Sequence, residues 1–445
     1  MSEEKKSGSL IAIITMFALY GMVGFVTNLA APIGKVWMMK PGIDGSTSMS
    51  MLGNLMNFIP YLIMGIPAGK MLIKVGYKAT ALIAIATGFV GVFVQYLSGV
   101  VLDGTVWGGV PAPFFVYLLG AFICGFCVCM LNTVVNPMLN TIGGGGKRGN
   151  QLNMGGSSTN SLACTIAPIL VGMMAGEVTK DTQISSLNGL LFTAMAIFAF
   201  AFAVIAFLKI ENPSDTQKNV VFERSPLAFR HCTLGIVGIL AYMGVEVGIP
   251  NILNLWLSAD ATSPVSVKLI ASNPGMTAAA VSGAVVGTYW FLMLVGRITG
   301  AIIGGKVSSK TMLIFCAAGA LILIGAGILT QDCTVSMPVF TGKSFTMVTV
   351  PMTALLFALC GLCTSVMWAG VFNLAVEGLG KYTEKASGLF MTMVVGGGFL
   401  PLLQAKIAGS CGYMVSYVVP GVCLAYMLAY ALFFSKNVNT DIKVD

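Results

Sequence analysis

The chain has 445 residues, of which 56% are hydrophobic and 9% charged, with 24 Lys and Arg against 16 Asp and Glu for a net charge of +8. So little polar surface cannot clothe a water-soluble globule of this length. A soluble enzyme or binding module is therefore excluded, and the chain belongs in a bilayer.

A hydrocarbon core of about 30 Å needs roughly 20 apolar residues of helix. Such runs recur at 9–34, 48–70, 80–102, 113–141, 157–175, 188–209, 232–257, 276–303, 311–330, 347–376, 387–408 and 412–434, which predicts an all-α membrane protein of twelve spans. The runs are continuously apolar and lack the short alternation of a membrane barrel, about 10 residues per strand. The first is too long for a signal-peptide core and is followed by further spans, so it is expected to be retained.

Several spans carry polar stripes. In the second, Asn54, Asn57 and Tyr61 share a face at spacings of three and four. In the fourth, "LNTVVNPMLN" (131–140) sets Asn132, Asn136 and Asn140 four apart; successive members drift by only about 40° round the helix and form one stripe. Buried amides without partners cost a few kcal/mol, so this face should meet other helices or a wet cavity rather than lipid. Interhelical bonding is one use of such a stripe. The other is a polyhydroxyl solute, because each amide offers both donors and acceptors.

The seventh span carries Tyr242, Glu246, Pro250 and Asn254 on one face. A carboxylate in mid-span costs about 2.5–3.5 kcal/mol on insertion scales and is by default a functional candidate. Pro250 frees a backbone carbonyl one turn away, so Glu246 is expected to handle a proton or a sodium ion; a structural acid is the alternative. Tyr289, Trp290, Trp368 and Asn373 add aromatic and amide candidates in the eighth and tenth spans. Glu377 stands where the tenth span leaves the membrane, with Arg297 expected at matching depth in the eighth. An ion pair between them is predicted as a cytoplasmic gate, against two ordinary interfacial charges.

With the N-terminus in the cytoplasm, 18 of the 24 Lys and Arg fall on that side, Arg297 among them. This positive-inside bias accounts for the basic excess without a nucleic-acid partner and places both termini inside. The most polar connection, 209–231, splits the spans six and six: a first bundle at 1–208, a linker at 209–231, a second bundle at 232–436 and a short tail at 437–445. Gly65, Gly69, Lys74 and Lys78 are echoed by Gly296, Gly300, Lys306 and Lys310 at the corresponding junction of the second half. Paired six-span halves with such an echo predict a transporter whose site lies at the midplane between them.

Other chemistries find little support. Cys124/Cys127 and Cys360/Cys363 have C-x-x-C spacing but lie inside apolar helices, and His231 is the single histidine, so packing is expected rather than metal or redox work. "GGGGKR" (143–148) lacks the spacing and the hydroxyl of a phosphate loop. With no nucleophile motif and no nucleotide-binding segment in the pattern, neither an enzyme, a cofactor nor direct ATP drive is expected, and nothing calls for a second copy of the chain, so a monomer is predicted.

"GIPAGKMLIKVGYKA" (65–79), "NPMLNTIG" (136–143), "YMGVEVGIPNILNLWL" (242–257), "GRITGAIIGGKVSSKTML" (296–313) and "FNLAVEGLGKYTEKASGLFMTMVVGGGFLPLLQ" (372–404) together resemble the fucose:proton symporter family of the major facilitator superfamily. Within it, "VEV" in the seventh span looks like the glucose/galactose branch. The resemblance implies two six-helix bundles in the inner membrane of a bacterium, importing a hexose-like sugar by alternating access with a coupling proton or sodium ion. It also marks departures. The family's first-span aspartate falls on Asn28 and its fourth-span glutamate on Asn132, while its fifth-span arginine and glutamine fall on Gln151 and Gly156. Asn28 thus joins the candidate sugar ligands. The missing acids leave room for an uncoupled facilitator, or for another small polar solute.

Overall fold

The computed structural model describes residues 3–43, 46–142, 146–175, 184–208, 224–258, 263–304, 306–340 and 344–439. Most of the 209–231 linker and the end of the tail (440–445) lie outside the described residues, as does the side chain of Asn140.

The helices in chain order are α1 (Glu3–Met38), α2 (Thr47–Ser50), α3 (Leu52–Leu97), α4 (Ala112–Ile142), α5 (Gly146–Ala175), α6 (Asn188–Phe207), α7 (Arg230–Ser258), α8 (Pro264–Ser272), α9 (Ala278–Ile303), α10 (Ser309–Leu329), α11 (Met352–Thr364), α12 (Met367–Val376), α13 (Thr383–Met393), α14 (Gly396–Cys411), α15 (Tyr413–Ser416) and α16 (Val418–Ala429). Eleven stretches among the described residues are long and apolar enough to cross a membrane. The fifth predicted span is the 30-residue helix α5, whose first half, "GKRGNQLNMGGSSTN", is too polar to qualify by composition. From this region the candidate site takes the Ser157 carbonyl and, one residue past the polar half, the Ser161 hydroxyl.

Local chemistry explains the breaks. The second and third spans, together labelled α3, are two helices that meet at a sharp break at Gly76, with φ 86° and ψ 171°. A residue with a Cβ resists that backbone geometry, and glycine makes the reversal possible without a loop. Gly412, at φ 98°, likewise separates α14 from α15. Residues 347–351 were expected to open the tenth span and instead form a strand. β3 (Thr334–Phe340) and β4 (Phe345–Pro351) pair antiparallel from Thr334↔Pro351 to Phe340↔Phe345. "FTMVTVP" is rich in β-branched residues, which suit a half-buried pleat: Val348 and Val350 are buried while Met347 is exposed. A smaller hairpin joins β1 (Val106–Trp107) to β2 (Val110–Pro111) ahead of α4.

In the first half α1 packs on α5 and α4, and α3 on α4 and α6; in the second α7 packs on α14, α16, α12 and α9, and α11 on α10 and α9. The halves meet where α5 lies on α9, and where α3 and α2 lie on α13 and α14. Small residues let these backbones close in. A Cβ on Gly65 would stand 2.9 Å from the Thr392 backbone nitrogen across the seam, and one on Gly300 would stand 3.2 Å from the Met154 side chain on α5 as well as 2.4 Å from Val366 within its own half. Of the glycines in the internal echo, Gly69 has nothing within 4 Å, so close approach accounts for Gly65, Gly296 and Gly300 alone.

Candidate functional site

Glu246 projects from the middle of α7 and is buried, and its carboxylate meets the equally buried guanidinium of Arg297 on α9 at 3.0 Å. Arg297 also crosses to the first half. Its other terminal nitrogen donates to the Ser157 carbonyl at 2.7 Å and to the Ser161 hydroxyl at 2.6 Å, both on α5. One side chain thus ties α7, α9 and α5 together, its planar fork spreading the donors over two nitrogens where an ammonium would offer them from a single point.

Pro250 has no N–H to return to the Glu246 carbonyl. That carbonyl accepts instead from the Tyr289 hydroxyl at 3.2 Å, which lies 3.1 Å from the Thr364 hydroxyl. Trp290 packs edge-on to Tyr289 with centroids 5.3 Å apart, and Trp368 tilts against Tyr242 at 5.9 Å. The Tyr242 hydroxyl lies beside the Glu246–Arg297 pair yet completes no hydrogen bond of good geometry.

Across the midline the first half presents amides. Tyr20 on α1 donates its hydroxyl to Asn136, Asn136 donates to the Asn132 carbonyl at 2.8 Å, and Asn132 donates to the Tyr61 hydroxyl at 2.6 Å. The fourth-span stripe is therefore a connected polar face joining α1, α4 and α3. Asn57 is buried with its side-chain oxygen unpartnered. Asn28 donates to the Gly24 carbonyl at 3.0 Å and to the Cys164 sulfur at 2.8 Å, packing α1 on α5.

Asn54 bridges the halves by a different route. Its amide donates at 2.8 Å to the Gly397 carbonyl on α14, an acceptor that Pro401 frees by lacking the N–H one turn on. Asn54→Leu removes a bond made only while α3 lies on α14, a contribution of about 1 kcal/mol. It should shift the conformational balance several-fold away from the arrangement seen here. Cysteine accessibility measured from the two sides of the membrane reads this, and an unchanged pattern would return Asn54 to plain packing.

The predicted gate between Arg297 and Glu377 is not what the structure contains. Arg297 sits six residues inside the C-terminal end of α9, about 9 Å along the axis, where it is buried against Glu246. Glu377 caps α12 at the rim, exposed, with its backbone carbonyl accepting from His231 Nε2 at 2.9 Å. The two were expected at one depth because apolar runs do not mark helix ends to within a turn. Arg297 consequently leaves the set of interfacial cations counted toward topology. Asn373 and Asn254 are also apart from the central cluster. Asn373 donates to Ser309 at 3.4 Å and lines a cavity of about 490 Å³ with Lys310, Glu377 and Lys436. Asn254, two turns beyond Glu246, accepts from the Ser282 hydroxyl.

Ser157, Ser161, Tyr20 and Cys164 are not among the residues expected from the sequence. The polar run "GGSSTNS" (155–161) was the available signal for the serines, but only the packing of α5 on α9 shows that the Ser157 carbonyl and the Ser161 hydroxyl meet an arginine. Gly156, at the place of a family amide, leaves room for Tyr20: a Cβ there would stand 2.7 Å from its ring.

The sequence profile of the Major Facilitator Superfamily matches residues 10–402. The chain belongs to the Major Facilitator Superfamily. Accordingly it is a multi-pass membrane transporter and not an enzyme. Among relatives within this superfamily, a glucose/galactose transporter of Brucella abortus biovar 1 (strain 9-941) is 25% identical over 98% of this chain and 96% of its own length. The L-fucose-proton symporter of Escherichia coli (strain K12) is 22% identical over 85% of this chain and 83% of its own. A crystal structure of the superfamily transporter FucP in the outward conformation superposes with a TM-score of 0.68 at 17% identity, covering 96% of this chain and 99% of that one.

Proposed function

We propose that the protein imports a hexose-like sugar by alternating access, as a monomer with both termini in the cytoplasm and its two six-helix bundles joined by the 209–231 linker. Transport is coupled to a proton or sodium ion through Glu246. The sugar sits between the amide face of Asn132, Asn136, Asn57 and Tyr61 and the aromatic wall of Tyr242, Trp368, Tyr289 and Trp290. The names of the full-length relatives support the substrate class, and the donor and acceptor content of the cluster suits hydroxyl pairs.

The observation that carries the mechanism is the reach of Arg297 from Glu246 to α5. A buried ion pair is seldom a net gain in stability over well-packed apolar side chains, whereas removing one partner is costly. Its use here is therefore conformational. While Glu246 is charged it holds Arg297 against α5 and keeps the halves together on that side. A proton or cation at Glu246 weakens that hold and frees the guanidinium, so occupancy of one carboxylate biases the state of the whole bundle.

Uptake into proteoliposomes, with a panel of sugars under imposed pH or sodium gradients, tests this reading; the absence of saturable uptake of any hexose overturns the substrate class. Asn132→Leu should weaken sugar affinity by about five- to a hundredfold, the equivalent of one unpaired hydroxyl at about 1–3 kcal/mol, with insertion unaffected. Equal affinity in this variant would remove Asn132 from the site. An uncoupled facilitator is the second reading. It is favoured by the amides at 28 and 132 where the resembling carriers hold acids, and by a Glu246 already paired with an arginine.

A further inference from the structure

Gln404 lies on α14 with its side chain fully buried, and neither its side-chain nitrogen nor its oxygen has a hydrogen-bond partner. Helix α14 packs against α7 through two rows at four-residue spacing. A Cβ on Gly396 would meet the Leu240 carbonyl at 2.2 Å, one on Gly244 would meet Leu400 at 2.4 Å, and one on Gly248 would meet the Gln404 side-chain oxygen at 2.5 Å. Gly248 is thus the floor on which the Gln404 amide rests. Seven residues are nearly two full turns, so Gln404 also shares a face with Gly397, which receives Asn54 across the seam between the halves. Helix α2 packs on α14 along the same seam.

A buried primary amide has two donor hydrogens and an acceptor oxygen, and leaving all of them unmatched is destabilising. Leucine would fill the same volume without that cost. The amide is therefore retained for a partner that arrives from outside the protein fold. We propose that Gln404 is a substrate-contacting residue of the translocation path, its amide taking a pair of sugar hydroxyls, one as donor and one as acceptor, when the seam opens. This rests on the sugar reading above and adds a ligand from the second bundle that faces the first-half amides. Ring hydroxyls on neighbouring carbons present the donor and acceptor pair that one amide matches.

The test measures thermal stability and the binding of D-glucose, D-galactose and their monodeoxy derivatives for wild type, Gln404→Leu and Gly248→Ala. Gln404→Leu should raise the melting temperature of the sugar-free protein by a few degrees and weaken sugar binding about tenfold or more. It should also make one deoxygenation that is costly in wild type indifferent, the signature of a direct pair in a double-mutant cycle. Gly248→Ala, which crowds the amide without removing it, should show the same position-specific loss in milder form and stands in if the leucine variant does not fold. A fall in stability with sugar affinities unchanged overturns the proposal and makes Gln404 a structural amide. A uniform weakening across all sugars, with no position silenced, also overturns it. Failure of wild type to bind any sugar of the panel defeats the sugar reading itself, and this inference with it.

Discussion

Glu246→Gln should abolish gradient-driven accumulation, by at least an order of magnitude, while sugar-for-sugar exchange stays within a few-fold of wild type. Glutamine keeps the size and the acceptor oxygen that Arg297 uses at 3.0 Å but cannot change its charge. On the proposed coupling the carboxylate is central, because Asn28 and Asn132 cannot carry a proton and leave no acid on the polar faces of α1 and α4 to do so. Exchange survives because it needs the bundle to rock with sugar bound, not to rock empty. The substitution also leaves the Arg297 charge buried without a counter-charge, and loss of one partner of a buried pair costs up to about 3–5 kcal/mol. A lowered melting temperature is therefore expected, and Glu246→Gln combined with Arg297→Gln should recover part of it without recovering accumulation. Uptake and counterflow in proteoliposomes decide the matter. Accumulation by the variant equal to wild type removes the coupling role. A wild type that never accumulates sugar under either gradient hands the protein to the facilitator reading, with Glu246 as a structural acid or a sugar ligand.

The second large effect is predicted at Gly361, a position with no charge of its own. A Cβ there would stand 2.2 Å from the Tyr289 carbonyl oxygen and 3.1 Å from its carbon, with the Met293 nitrogen at 3.4 Å. These are backbone atoms of α9 and cannot swing aside as a flexible side chain would, so Gly361→Ala must push α11 off α9. Overpacking of this kind costs about 1–3 kcal/mol and occasionally more. The consequence reaches the site, because α9 carries both Tyr289, bonded to the Glu246 carbonyl, and Arg297. Thermal unfolding should fall by several degrees and transport should drop with it. Gly325 on α10, with nothing within 4 Å of its added Cβ, supplies the control: Gly325→Ala should be neutral or mildly stabilising through helix propensity. Equal stability of the two variants would show that the α9–α11 contact is softer than its geometry implies.

Apolar run length and the rarity of charge decided the bilayer and the helical spans, because a hydrocarbon solvent leaves a chain few ways to satisfy its backbone. Periodicity was enough to put Asn132 and Asn136 on one face, and position in mid-span was enough to single out Glu246. These are local properties: they follow from the pitch of one helix and the cost of one buried group. The partners of those groups are not local. Arg297 was assigned to the membrane edge with Glu377, yet it binds Glu246, 51 residues away in the chain, and Ser157 and Ser161 in the other half. No spacing rule reaches across the seam between α5 and α9. Residues 347–351 of the second strand were expected to be membrane helix because an apolar run of that length is ambiguous until its cross-strand neighbours are known. Gln404 reads in the sequence as one more polar residue near a helix end; only the packing of α14 on α7 leaves it buried with both polar atoms unmatched. Sequence therefore determined the solvent, the helices and the chemical type of the site's residues, while tertiary packing decided which of them meet, since pairing energies depend on distances that only the assembled bundle sets.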